Sequence, residues 1–157
     1  MEVTALKTAM TDSISEVLET MFFLPLDMDD ADKPQTLWPS KDEDIRVSQL
    51  NFNGPFSGRF YFFIPNSLAV SITTSFLGIA EDDLAGEQLS ETVNEIINMV
   101  AGNTFSKFDD QQVFDLDVPM PVRFKDLELD GSDIDKEIFL PIRTLEDRLA
   151  FLLSVDA

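Results

Sequence analysis

The stretch from residue 87 to residue 107 constrains the fold more than any other, because it has the periodicity of an amphipathic helix. At about 100° per residue, its apolar side chains fall in one arc, which predicts a core-facing stripe: Leu89, Val93, Ile96, Ile97, Val100 and Thr104. Four residues fall in a narrow strip on the opposite side: Glu91, Glu95, Asn98 and Gly102. The first three follow i, i+4, i+7 spacing, so their side chains stand one above the next.

The same stretch contains three asparagines, Asn94, Asn98 and Asn103. An asparagine inside a helix costs roughly several tenths of a kcal/mol relative to alanine. Their presence indicates that something other than helix stability selected them. The alternative interpretation is an ordinary solvated face on a helix that ends at a Gly102 C-cap.

Two segments carry a resemblance to a known family. Residues 90–103, SETVNEIINMVAGN, resemble the signature helix of the CheC/CheX/FliY family of chemotaxis phosphatases, and the match is closest to CheX. The family motif is Asp or Ser, three residues, Glu, two residues, Asn, twenty-two residues, then Pro. Glu95, Asn98 and Pro121 fit it, whereas Glu91 stands where the motif prefers Asp or Ser, which leaves its role open. Residues 57–78, SGRFYFFIPNSLAVSITTSFLG, are similar to the family's strand–Pro–helix unit.

The resemblance implies a function and a set of roles. In the family, the substrate is the phospho-aspartate of a CheY-like response regulator, which brings its own Mg²⁺, so no cofactor or metal of this chain is expected. Carried over, Asn98 would orient the attacking water and Glu95 would pair with the regulator's active-site lysine. Glu91 would steer the partner, Gly102 would allow close backbone approach, and Pro121 would shape the loop beside the helix. The resemblance also implies a homodimer.

Composition limits the alternatives. The chain has no cysteine and no histidine, which excludes disulfides, thiolate zinc sites and Ser-His-Asp triads. An enzyme must therefore use carboxylates, amides, hydroxyls or lysine. A Glu and an Asn one turn apart suit phosphoryl transfer, because an amide can donate and accept hydrogen bonds to a water and this chemistry depends mainly on positioning.

Charge and hydropathy bear on partners and location. With 30 acidic and 11 basic residues, the net charge of −19 disfavours nucleic acid and anionic membranes. The sequence shows neither a signal peptide nor an apolar run of about 20 residues, so we expect a cytoplasmic protein with no membrane partner. At 157 residues, a single domain over 1–157 is expected.

The remaining patterns predict helices packed on a mostly antiparallel sheet, an α+β fold. We expect a first helix over 3–23, a polar loop over 27–44 anchored by Trp38, and a helix capped by Asn66 or Ser67 and closed by Gly78. Alternation predicts hairpins from 45–51 with 57–64 and from 136–143 with 148–155. It also predicts strands at 113–118 and 122–129, with the Pro119-Met120-Pro121 segment interrupting them.

The order of these elements indicates a tandem duplication of a helix–hairpin unit. Asp12, Glu16 and Glu19 repeat the signature spacing in the first helix, but a Glu stands where Asn belongs. This is interpreted as a decayed first copy of the site, and the alternative is an ordinary polar helix face.

The sequence also suggests two functions other than phosphatase activity. A docking module without catalysis, which only binds a response regulator or a flagellar component, is the main alternative. A calcium loop at 126–137 satisfies a loose EF-hand spacing. Apolar Ile134 at its ninth position and strand-like flanks argue against calcium.

Overall fold

The computed structural model describes residues 2–40, 44–127 and 134–156. Within this part of the chain, three longer helices cover one face of a seven-stranded sheet. The helices are α1 (Val3–Ser15), α3 (Asn66–Leu77) and α4 (Gly86–Phe108), with a four-residue helix α2 (Pro34–Leu37). The strands are β1 (Asp27–Met28), β2 (Ile45–Asn53), β3 (Gly58–Pro65), β4 (Asp115–Leu116), β5 (Met120–Val122), β6 (Ile134–Arg143) and β7 (Arg148–Asp156). The predicted α+β class is confirmed.

Two antiparallel hairpins form the centre of the sheet, as their alternating apolar residues predict. In β2–β3, Ile45 pairs with Pro65 and Phe52 with Gly58. In β6–β7, Arg143 pairs with Arg148, and the backbone N–H of Thr144 donates to the carbonyl of Asp147 across the turn. The hairpins join through antiparallel pairing of β3 with β7. The full strand order is β1-β6-β7-β3-β2-β4, with β5 also pairing with β2.

The central strands are buried on both faces, which explains the aromatic run in β3. Phe60, Phe62 and Ile64 face the helices and belong to the larger core. Tyr61 and Phe63 face the other way and pack with Leu37, Phe124 and their neighbours. Trp38 stacks on Phe63 at 6.0 Å between ring centroids, so its predicted role as an anchor is confirmed. Residues 27–40 are therefore a packed cover, with β1 and α2 inside the predicted loop.

The first helix departs from the prediction at its C-terminal end. α1 is followed by a π-helical segment, Glu16–Met21, and Phe23 adopts a positive φ of 54°. The π-helical segment has only six residues, little more than one turn, which is too short to show a period of its own in the apolar pattern. Met21, the last residue of the π-helical segment, is 42% exposed.

The C-terminal end of α3 agrees with the prediction, and its N-terminal cap does not. Gly78 closes the helix with a left-handed φ of 67°, as predicted. The predicted cap by Asn66 or Ser67 is wrong, because the N-cap is Pro65 and no side chain caps the helix. The Asn66 Oδ1 instead accepts a hydrogen bond from Arg46 Nε at 2.6 Å.

The predicted strand at 113–118 is confirmed only at Asp115 and Leu116, while Val113 and Val118 are 77% and 75% exposed. Pro121 does not interrupt a strand but lies inside β5, paired with Ser48 of β2. An edge position tolerates the missing N–H of a proline. The predicted strand at 122–129 is wrong over Phe124–Asp126, which form a 3₁₀ turn. Residues 128–133, which include the end of that predicted strand and the middle of the EF-hand-like stretch at 126–137, lie outside the described residues.

The strand order is symmetric between the two halves of the chain. In the first half, α1 is followed by β1, which pairs with β6 of the other half. In the second half, α4 is followed by β4 and β5, which pair with β2 of the first half. Each half thus contributes a helix, a hairpin and short edge strands, one in the first half and two in the second, which agrees with the interpretation of a duplicated unit.

Candidate functional site

The site is built on α4, whose apolar stripe is buried as predicted. Leu89, Val93, Ile96, Ile97 and Val100 belong to the core, and all are at most 5% exposed. The buried Thr104 hydroxyl donates to the carbonyl of Val100 at 2.7 Å. The helix packs against α1, α3 and the sheet, so its backbone is held on one side by the core. The outward side chains therefore stand on a rigid element.

Glu91, Glu95 and Asn98 are all exposed on the outer side of α4. Asn98 lies three positions after Glu95, which is about 4.5 Å along the helix axis and about 60° around it. The structure therefore brings the carboxylate and the carboxamide together on one face. Within the described residues, the two side chains form no hydrogen bond or ion pair. They are available to groups of another molecule.

Gly102 lies on the same helix, two turns beyond Glu95, and is half-buried. The prediction that Gly102 ends the helix is wrong, because α4 continues to Phe108. A Cβ built on Gly102 would meet only Leu116 Cδ1, at 3.9 Å. Neither the backbone conformation nor internal packing therefore requires a glycine at this position.

Pro121 is exposed in β5. It lines a cleft of about 380 Å³ between α4 and the edge of the sheet, together with Ser90 and Asn94 of the helix. The Ser48 hydroxyl donates to Asn94 Oδ1 at 3.0 Å, which ties the side of the helix to β2. The structure therefore places Pro121 beside α4, on the flank that carries Ser90 and Asn94.

The sequence analysis missed the cleft itself, because its lining comes from four separate segments. One signal was present, since Asn94 is a poor helix former with no role in the signature motif. Its hydrogen bond to Ser48 accounts for its position on the inner flank of α4.

The first helix carries its polar residues differently. Asp12, Glu16 and Glu19 are exposed, so they form an outer strip like that of α4. Glu16 pairs with Lys107 of α4 at 3.0 Å, and Glu19 accepts a hydrogen bond from the Ser15 hydroxyl. Two of the three carboxylates of this strip, those of Glu16 and Glu19, are therefore engaged within the molecule.

Two kinds of site are absent from the described ranges. No three carboxylate side chains come together there in a way that could hold a metal ion. Nor does any described helix have the length and apolar character needed to cross a bilayer.

Comparison with known proteins gives one family and a set of solved folds. The model of the family described as chemotaxis phosphatase CheX matches residues 46–143, more than half of the chain. A search of curated proteins found no match.

Solved structures are similar over nearly the whole chain. A CheC-like protein from Shewanella oneidensis superposes with a TM-score of 0.76 at 18% identity, covering 99% of this chain and 100% of that one. The chemotaxis protein CheX from Vibrio vulnificus gives 0.73 at 20% identity, covering 96% of each chain. CheX in a complex with CheY, BeF₃ and Mg²⁺ from Borrelia burgdorferi gives 0.72 at 16% identity, covering 96% and 97%. At these identities, the likeness establishes the fold.

Proposed function

This chain belongs to the CheX family of chemotaxis phosphatases, and on that premise we propose that it hydrolyses the phospho-aspartate of a CheY-like response regulator. The observation that carries the proposal is the pair Glu95 and Asn98, exposed and unengaged within the described residues on one face of a helix whose other face is buried. The solved complex of a structurally similar CheX with CheY supports the class of partner.

Asn98 is the proposed catalytic residue. Its carboxamide can accept a hydrogen bond from a water and donate one to a phosphoryl oxygen at the same time. Such a contact holds the water in line with phosphorus, and in phosphoryl transfer positioning of this kind supplies most of the catalysis. Because the core holds α4 in place, the backbone that carries Asn98 is fixed before the regulator arrives.

Glu95 is the proposed docking residue. Its carboxylate would pair with the active-site lysine of the regulator and set the register of the helix against the phosphorylated aspartate. A charge-assisted contact of this kind contributes about 1.5–3 kcal/mol when it is shielded from water. The Mg²⁺ in this proposal belongs to the regulator's site, and this chain adds no ligand to it.

Two further residues of α4 are proposed to contact the partner, and Pro121 to shape the surface beside the helix. Glu91, one turn before Glu95, would add to the negative charge that attracts the lysine. Gly102 would let the regulator approach the backbone of α4, since no contact within the molecule explains the missing side chain. Pro121 would fix the segment at the flank of the helix, because it lies in β5, which pairs with β2.

Phosphate release from a phosphorylated cognate regulator tests the proposal. Asn98→Ala should slow the accelerated hydrolysis by about a hundredfold or more, the scale of losing one positioned catalytic group. Because Asn98 is exposed, the melting temperature should stay within about 2 °C of the wild type. Asn103→Ala, which removes another amide from the same helix, is the matched control and should keep the activity. An Asn98→Ala protein as active as the wild type would overturn the assignment.

A docking module without catalysis is the second candidate, because the first helix keeps the strip but has Glu19 at the amide position. Calorimetric titration separates the two functions. Under the phosphatase proposal, Asn98→Ala binds the activated regulator about as well as the wild type, whereas Glu95→Gln weakens binding about tenfold or more. Wild-type protein that binds the regulator without accelerating phosphate release would favour the docking module.

We also propose that the chain forms a homodimer. β1 pairs with only the last two residues of β6, so within the described residues most of the outer edge of β6 is open for strand pairing. Sedimentation equilibrium at micromolar concentration should give twice the 17.7 kDa chain mass. A single species of one chain mass would exclude the dimer.

A further inference from the structure

The cleft beside α4 differs in character from the rest of the surface. Its walls are formed by β2, the inner flank of α4, and the chain from β5 into the 3₁₀ turn, with the first residue of α3 at one end. Apolar side chains form much of its lining: Ile45, Val47, Val93, Pro121, Val122 and Phe124. At about 380 Å³ it falls within the range of pockets that hold small organic ligands.

The cleft is positive in a strongly negative chain. Arg46, Arg123 and Lys125 line it, although the whole chain has only 11 basic residues among 157. Among the described residues that line it, none is an aspartate or a glutamate, although the chain has 30 of them. Within the described part of the chain, neither arginine forms an ion pair. The concave surface beside Arg143 and Arg148, in contrast, also contains Glu146 and Asp147.

Internal hydrogen bonds leave hydrogen-bond donors available at the cleft. The Oδ1 of Asn94 accepts from the Ser48 hydroxyl at 3.0 Å, so the NH₂ group of Asn94 remains for another partner. The Oδ1 of Asn66 accepts from Arg46 Nε at 2.6 Å, which likewise leaves the Asn66 NH₂ group. The guanidinium of Arg46 keeps its terminal nitrogens beyond this bond. The cleft therefore presents the NH₂ groups of two amides and the N–H groups of two arginines, while both amide oxygens already accept hydrogen bonds. Such a lining favours a ligand that accepts hydrogen bonds.

We propose that this cleft is a binding site for a small organic anion, a phosphate or carboxylate joined to an apolar group. Arg46 and Arg123 hold the anionic head, since guanidinium groups match phosphate and carboxylate in two-point geometry. The Asn94 and Asn66 amides complete the contacts to the head. The apolar part lies on the lining of Val47, Val93 and Phe124. The site uses neither Glu95 nor Asn98, and so it stands independently of the phosphatase reaction.

The net charge of −19 does not prevent anion binding at this position. At physiological ionic strength, the screening length is about 8 Å, so acidic groups across the molecule are largely screened. The cations that line the cleft act on the ligand directly. Binding is therefore expected to weaken as the salt concentration rises.

Phenyl phosphate tests the proposal, because it joins an anionic head to an apolar ring. Calorimetric titration of the intact protein should give one site with Kd of about 1 mM or tighter. Inorganic phosphate lacks the ring and benzyl alcohol lacks the charge, so each should bind more weakly than phenyl phosphate by about tenfold or more. Amide NMR shifts should change at Ser48, Asn94 and Val122. Absence of binding, or shifts confined to another surface, would overturn the proposal.

Arginine variants provide the second arm. Arg46→Gln with Arg123→Gln should weaken phenyl phosphate binding at least about tenfold. Arg143→Gln, the same change at an exposed arginine of β6, is the matched control and should bind normally. If Arg143→Gln weakens phenyl phosphate binding equally, the effect reflects the net charge of the protein, and the proposed site is wrong. If the probes fail to bind while the double variant loses affinity for the regulator, the cleft holds an acidic segment of the partner, and the small-anion proposal is wrong.

Discussion

The first helix and α4 pack side by side on the same sheet, yet only one of them keeps a complete outer strip. The same spacing recurs 79 positions later, from Asp12, Glu16 and Glu19 to Glu91, Glu95 and Asn98. The first helix becomes π-helical from Glu16 and ends at Met21, whereas α4 continues ten residues past Asn98 to Phe108. The comparison teaches that spacing preserves the packing of a helix, while the identity and freedom of the outer side chains decide its chemistry.

The engagement of the carboxylates differs in the same direction. Glu16 is paired with Lys107 and Glu19 with the Ser15 hydroxyl, so two of the three carboxylates on the first helix are used inside the molecule. The corresponding Glu95 and Asn98 have no such partner within the described residues. Lys107 comes from α4 itself, so a surface ion pair links the strip of the first helix to α4.

Exchanging the residues at the amide position should break this comparison most strongly. Asn98→Glu gives α4 the residue that the first helix has at this position. The substitution should lower phosphate release about a hundredfold or more. Glu19→Asn in that background should restore nothing, because the first helix ends two residues later and Glu16 remains paired with Lys107. Steady-state phosphate release with both variants is the measurement. Activity recovered by Glu19→Asn would show that the first helix is still a competent site.

Gly102→Ala separates stability from partner contact. The added Cβ has room beside Leu116, and alanine is the better helix former by about 0.5–1 kcal/mol, so the melting temperature should rise by about 2 °C. If the regulator approaches the backbone of α4, the same variant should raise KM several-fold. Calorimetry and phosphate-release kinetics on one preparation measure both effects. Unchanged kinetics would remove Gly102 from the partner surface.

The smallest effect is expected for the ion pair between the two helices. Lys107 is 40% exposed and Glu16 is 53% exposed, so the pair is screened by solvent. Lys107→Gln should lower the free energy of unfolding by less than about 1 kcal/mol, with the difference fading in high salt. Urea denaturation at two salt concentrations checks this. A larger, salt-independent loss would mean that the pair determines how the helices pack.

Sequence periodicity was sufficient to predict a helix or strand where one strong apolar pattern ran along the whole element. The stripe from Leu89 to Val100 gave α4 its buried face, and alternation gave both hairpins. It was insufficient where two structures share one local pattern. Gly102 fits a helix end as well as a helix interior, and packing beyond it, through buried Thr104 and Phe105, decided the outcome.

The edge of the sheet and the cleft were beyond the reach of local patterns. The strand at 113–118 is reduced to two residues, after which the N–H of Asp117 still bonds to the Asn51 carbonyl outside regular pairing. The cleft gathers Arg46, Asn66, Asn94 and Arg123 from segments far apart in the sequence. Such a site becomes visible only when the topology brings the segments together.

The exchange of edge strands between the two halves has a lasting consequence. Because β1 completes the sheet of the second half and β4 with β5 complete that of the first, neither half is a detachable module. A substitution on the exposed strip of either helix leaves this shared sheet and the buried helix faces intact. The chemistry of the outer side chains can therefore change while the scaffold that carries them persists.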